Sequence, residues 1–185
     1  QPWLYARAAR AGVSQLGIMA SRKDWYRNDD TPALITALRE AGVFDGFSRV
    51  LFVGASMGGF AALAYARLVP DAAVLAFSPQ STLDRKAAPF ERRYRYGARK
   101  WNWSGPFSDA IGAADGREIT LVYDPKEAED RAHADRLDGA GVTHLRVPYT
   151  GHRAIRSLKG ASQMAEAMGI STFRYKVSIF LIAAL

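Results

Sequence analysis

The sequence predicts an α/β protein: a mostly parallel sheet with helices on both faces. Three observations predict it. Short apolar, β-branched runs alternate with longer segments rich in alanine, leucine and charge. The connectors are mostly short and are punctuated by glycine and proline, as at Gly12, Gly42 and Pro70. The runs "SRVLFVGA" and "AAVLAFSP" are apolar without strict alternation, as in strands covered on both faces. With 185 residues and 49% apolar composition, the chain is sized for one domain, 1–185, with a substantial core.

In chain order, "PWLYARAARAG" (2–12) has helical composition and a glycine stop, and "VSQLGIMA" (13–20) reads as a strand. The polar loop "SRKDWYRNDD" follows. Thr31 is the expected N-cap of the next helix, with Pro32 at the first helical position and Gly42 at its end. A buried strand (48–55), a small-residue helix (57–70) ended by Pro70, and a second buried strand (72–79) come next. A long irregular stretch precedes the strand "REITLVYD" (117–124). Then come a helix (126–141), the strand "VTHLRVPY" (142–149) and a mostly helical segment (152–169). The apolar tail "KVSIFLIAAL" (176–185) has about half the roughly 20 residues a membrane span needs, so a buried strand or helix is expected there, and no membrane span.

Composition narrows the chemistry. There is no cysteine, which excludes disulfides and thiolate catalysis. The net charge of +7 favours anionic partners without identifying one. No signal-peptide pattern follows Gln1, so a cytoplasmic location is the expectation.

One stretch carries chemistry. "GASMG" (54–58) is a G-x-S-x-G pattern between a buried strand and a helix, the context in which it forms a nucleophile elbow. Crowding explains the glycines: the turn lies against neighbouring strands, and side chains at 54 and 58 would collide. The turn lifts the Ser56 hydroxyl above the sheet rim. The following helix aims its N–H groups at the same place, making the Met57 N–H an oxyanion donor. A serine needs a base. His152, between the last clear strand and the next segment, suits that role better than His133 inside a helix or His144 inside a strand. The base needs an acid to orient it. Asp124 closes its strand at the same rim as Ser56 and is the leading choice. Glu127 and Asp130 follow closely and remain open.

The order Ser56, Asp124, His152 resembles the α/β-hydrolase fold. "GASMGG" is similar to its nucleophile elbow, "VYD" to the strand bearing the acid and "TGH" to the loop bearing the histidine, over roughly residues 2–168. "AFSPQSTLD" is similar to a little-characterised bacterial branch of such hydrolases. The resemblance implies a serine hydrolase that cleaves an ester or related acyl bond through an acyl-enzyme, with no cofactor and no metal. It also implies that the first strands and the loop carrying a second oxyanion donor lie upstream of Gln1, so that the chain reads as N-terminally truncated. Losing such a donor costs on the order of 3 kcal/mol of transition-state stabilisation.

The irregular stretch, about 80–116, stands where such hydrolases carry a lid. Between Arg85 and Lys100 it holds seven Arg or Lys against one Glu. In one reading Arg92, Arg93, Arg95, Trp101 and Trp103, with Trp25, Asp24 and Gln80, line a pocket for an acyl or glycan-like small molecule. In the other the arginines form a solvated face and the tryptophans anchor the lid. A non-catalytic domain binding an anionic glycan or other anion through 85–100 is the alternative function. No nucleic-acid motif accompanies the charge. Substrate identity and oligomeric state are not written in the sequence.

Overall fold

A computed structural model describes residues 5–10, 12–113, 115–153 and 177–183. Its centre is four parallel strands in consecutive order: β2 (Arg49–Ala55), β3 (Ala73–Phe77), β4 (Ile119–Tyr123) and β5 (Val142–Arg146). Two further strands, β1 (Gln15–Met19) and β6 (Val177–Ala183), extend the sheet to the order β1-β6-β2-β3-β4-β5, all parallel. The apolar tail is therefore a strand set between β1 and β2.

The helices are α1 (Tyr5–Arg10), α2 (Asp30–Glu40), α3 (Met57–Ala66), α4 (Arg95–Lys100) and α5 (Ala128–Arg136). β2, β3 and β4 alternate between two apolar clusters. Val50, Phe52, Val74, Ala76, Ile119 and Leu121 join Ile35 of α2, Ala134 of α5 and most of α3. Leu51, Val53, Ala73, Phe77 and Val122 form the second cluster, which holds no residue of those three helices. Every residue of α3 is buried. A Cβ at Gly59 would stand 3.0 Å from the Pro79 side chain, so glycine sets how closely α3 approaches the end of β3.

Several boundaries shift. α2 begins at Asp30, before Thr31. The acceptor at its start is Asn28, whose Oδ1 receives the Thr31 N–H and Oγ–H, both at 2.9 Å, so the capping side chain lies earlier in the loop than expected. α3 closes at Ala66, ahead of Pro70. The segment expected to be helical over 152–169 lies outside the described residues from 154 onward. Among the described residues no helix is long and apolar enough to cross a membrane.

The β3–β4 connection, 78–118, is mostly turns around α4, yet it is well anchored. Ala110 N–H donates to Ser81 O at 2.8 Å, and Thr82 Oγ–H donates to Ser108 O at 2.8 Å. Trp103 is buried against Trp25 and Phe60, and its indole N–H donates to Gly97 O. Gly97 lies on the Trp25 ring so closely that a Cβ there would come within 2.6 Å of it. α4 is thus seated on Trp25, and Arg95, Tyr96, Arg99 and Lys100 remain exposed.

Candidate active site

The site grows from the C-terminal rim of the sheet, where β2, β4 and β5 end. β2 stops at Ala55, and Ser56 turns the chain into α3 with φ +51° and ψ −118°. That is an uncommon conformation for a residue with a side chain, held here by the Ser56 N–H bond to Phe77 O at 2.8 Å. A Cβ on Gly54 would fall 2.0 Å from Gly58 O, so any side chain at 54 would collide with the backbone at 58. Met57 opens α3, and its N–H therefore has no intrahelical acceptor and is available to a ligand anion.

His152 stands in a short 3-10 turn, Gly151–Arg153, beyond β5. Its Nε2 lies 2.9 Å from Ser56 Oγ. Its Nδ1 lies 2.8 and 2.9 Å from the two oxygens of Asp130. Burial pushes the Asp130 carboxyl up, but hydrogen bonds and charge from His152 and Arg93 outweigh it and hold the group below the usual carboxylate range. An ionised Asp130 only accepts, so His152 carries its proton on Nδ1 and leaves Nε2 to receive the Ser56 hydroxyl.

The acid facing the histidine is therefore Asp130, one of the open alternatives, and not Asp124. Asp124 is buried at the end of β4 and faces backbone. Its Oδ1 accepts the Lys126 N–H, and its Oδ2 accepts those of Thr150 and Gly151, all at 2.8 Å. Burial raises its carboxyl, and these N–H bonds more than reverse that, leaving it below its ordinary value. Asp124 thus pins the loop that carries His152. Asp130, in the first turn of α5, gains the favourable end of the helix dipole and reaches the imidazole. Glu127 stands at the N-cap position of that helix.

Asp130 also has a second partner. Arg93 Nη1–H donates to its Oδ1 at 2.6 Å, and Arg93 Nη2–H donates to Glu91 Oε2 at 2.6 Å. The 3.3 Å approach of Arg93 Nη1 to His152 Nδ1 brings two N–H donors together and is not a hydrogen bond. Glu91 in turn receives His133 Nε2–H at 3.1 Å. Its carboxyl feels burial upward, but His133 and Arg93 bring it down to about 2.

Two more groups reach Ser56. Gln80 Nε2 lies 3.4 Å from Oγ, and its Oε1 accepts Trp25 Nε1–H at 2.8 Å. Tyr94 O–H stands 2.9 Å from His152 Nε2 and 3.5 Å from Ser56 Oγ, with its ring edge-on to Trp25 at 5.1 Å. Burial raises the Tyr94 phenol, so it remains a donor at neutral pH.

Of the expected pocket residues, Gln80 reaches the serine, and Trp25 holds Gln80 and Tyr94. The others are engaged elsewhere. Asp24 caps its own loop, accepting from Tyr26 N–H and Asn28. Arg93 is committed to Glu91 and Asp130. Arg92 is exposed. Trp101 donates to Lys23 O, and Trp103 is packed in the core. Trp101 and Trp103 both tie the connection to the rest of the fold. Among the described residues no three His, Cys, Asp or Glu side chains are grouped to hold a metal.

The residues missed were Tyr94 and Glu91. Nothing in "ERRYRYG" separates Tyr94 from the exposed Tyr96. Glu91 did carry a signal: it is the lone acid in the basic run, and a solitary opposite charge in such a run marks a pairing site.

Comparison of the chain with family models and with curated proteins finds no match.

Proposed function

We propose that the chain is a serine hydrolase of α/β-hydrolase type that cleaves an ester or related acyl bond. The observation that carries this reading is the continuous Asp130–His152–Ser56 hydrogen-bond chain, with separations of 2.8 and 2.9 Å. Ser56 Oγ attacks the carbonyl carbon while its proton passes to His152 Nε2. Asp130 stabilises the imidazolium and keeps Nδ1 protonated throughout. The Met57 N–H receives the oxyanion. When the tetrahedral species collapses, the C–O bond to the alcohol breaks and His152 Nε2–H protonates the leaving oxygen. Water then repeats the sequence on the acyl-enzyme, releasing the acid and restoring Ser56.

The connection at 80–116 acts as the lid in this reading. A leaving group must approach His152 Nε2, and the Tyr94 hydroxyl occupies that approach. Substrate entry therefore displaces Tyr94 from Nε2. The exposed cations of α4 favour a substrate that bears negative charge. They also support a second reading, anion binding without turnover. A fluorophosphonate probe separates the two. Labelling of the wild type at Ser56, absent in Ser56→Ala, supports the hydrolase. Salt-sensitive anion binding that survives Ser56→Ala, with no labelling, supports the binding module.

A further inference from the structure

We propose that the Gln80 side-chain amide is the second oxyanion donor, locked in its donating orientation by Trp25. The inference rests on the hydrolase reading and adds a catalytic residue to it. Acyl transfer through a serine calls for preorganised donors around the oxygen that becomes negative, and the Met57 N–H supplies one. Gln80 stands three residues beyond β3 and is fully buried.

An amide can face a serine with either end, and only its NH2 end would help. The indole N–H of Trp25 can only donate, so the atom of Gln80 at 2.8 Å from it is the oxygen. Nε2 is then turned toward Ser78 O and Ser56 Oγ, both at 3.4 Å. Its two hydrogens match these two acceptors. The one aimed at Oγ is long for a ground-state hydrogen bond and has room to tighten on an oxyanion that develops two bonds beyond Oγ. Trp25 is itself constrained. It has φ +54°, is buried, contacts Tyr94 and Trp103 edge-on, and is pressed by Gly97. The amide is therefore oriented before substrate arrives, which is what makes a donor effective in the transition state. Trp25 is a positioning residue, because it acts through Gln80.

The test uses the full chain, with p-nitrophenyl esters and a fluorophosphonate probe. Gln80→Met keeps the length of the side chain and removes the donor. It is expected to lower kcat on the order of a hundredfold to a thousandfold with little change in KM. Trp25→Phe keeps a ring and removes the N–H that fixes the amide. It is expected to lower kcat by a smaller factor, again without a matching rise in KM. The double variant should be no slower than Gln80→Met, because the two changes remove one function. Should Gln80→Met fail to fold by circular dichroism, Gln80→Glu, which lacks an N–H donor, takes its place with the same expected loss. A kcat within about twofold of wild type in the folded Gln80 variant overturns the proposal while leaving labelled Ser56 and the hydrolase reading intact. Wild-type protein whose Ser56 does not label takes down both.

Discussion

Two serine–histidine–carboxylate chains run through this molecule. At the rim, Ser56 meets His152, and His152 meets Asp130. In the interior, Ser81 Oγ lies 2.9 Å from His133 Nδ1, and His133 Nε2–H donates to Glu91 at 3.1 Å. The residue types match and the distances are alike, but their surroundings differ. Ser56 and His152 are half-buried, and the serine sits on a strained elbow beside a free helix N–H. Ser81 and His133 are fully buried. The Ser81 backbone N–H already donates to Nδ1 at 3.1 Å, and Arg136 donates to the Ser81 hydroxyl. Burial first of all lowers the affinity of His133 for a proton, so it is built to stay neutral and cannot serve as an accepting base for a substrate it never meets. The two arrangements differ in access, in how tightly the serine oxygen is held and in the free helix N–H beside it. The two chains are joined through Arg93, which bonds Glu91 of the inner one and Asp130 of the outer one.

The sharpest way to break this comparison is to remove each hydroxyl. Ser56→Ala should abolish labelling and lower ester turnover by at least about 10⁴-fold. Ser81→Ala should retain turnover and lose about 1–3 kcal/mol of stability, measured by urea unfolding. If Ser81→Ala is the inactive variant and Ser56→Ala turns over normally, the roles are reversed.

The two carboxylates near the histidine come next. Asp130→Asn should reduce kcat by about 10⁴-fold through the wrong imidazole tautomer. Asp124→Asn loosens the 150–152 loop and should cost up to about a hundredfold. Equal losses in the two variants would contradict the assignment of the acid to Asp130.

The link between the chains is tested by acid. Glu91 has its folded-state value near 2, against an ordinary 4.5. The unfolded chain takes up this proton first as pH falls, so the stabilisation is complete above about 4.5 and is lost progressively down to about 2. His133, depressed by burial, acts in the same direction from a higher pH. Glu91→Gln should flatten the stability curve between those limits and leave Arg93 short of a partner, at a cost of about 3 kcal/mol. An unchanged acid-unfolding midpoint in that variant would mean that the pair carries no stability.

The smallest effect is at Tyr94, whose hydroxyl shares His152 Nε2 with Ser56. Tyr94→Phe removes a competing hydrogen bond of about 1 kcal/mol, so labelling by a small fluorophosphonate should quicken roughly fivefold. Slower labelling would instead make the phenol a participant in the chemistry.

Much of this was legible in the sequence. The β2, β3 and β4 strands, the sharp turn at Ser56 and the nearness of His152 to that turn all follow from local pattern. Gly54 shows why: its need for glycine comes from an atom four residues away, within reach of a short motif. The acid was less legible, because Asp124, Glu127 and Asp130 lie within seven residues of chain. Which of them meets the imidazole depends on where α5 begins and which backbone N–H groups claim Asp124. Arg93 reads in sequence as a pocket-lining or solvated cation and is a half-buried strut in space, since its partner Asp130 lies 37 residues away.

By itself the sequence determined the alternation of strands and helices and the sharp turn that raises a hydroxyl at the rim, because sterics and apolar periodicity act over a few residues. Only the tertiary structure decided that Asp130 faces His152, that Gln80 and Tyr94 converge on Ser56, and that the basic segment turns one arginine inward. Those outcomes depend on contacts between residues tens of positions apart, where packing and the competition for buried hydrogen-bond partners choose among chemically equivalent side chains.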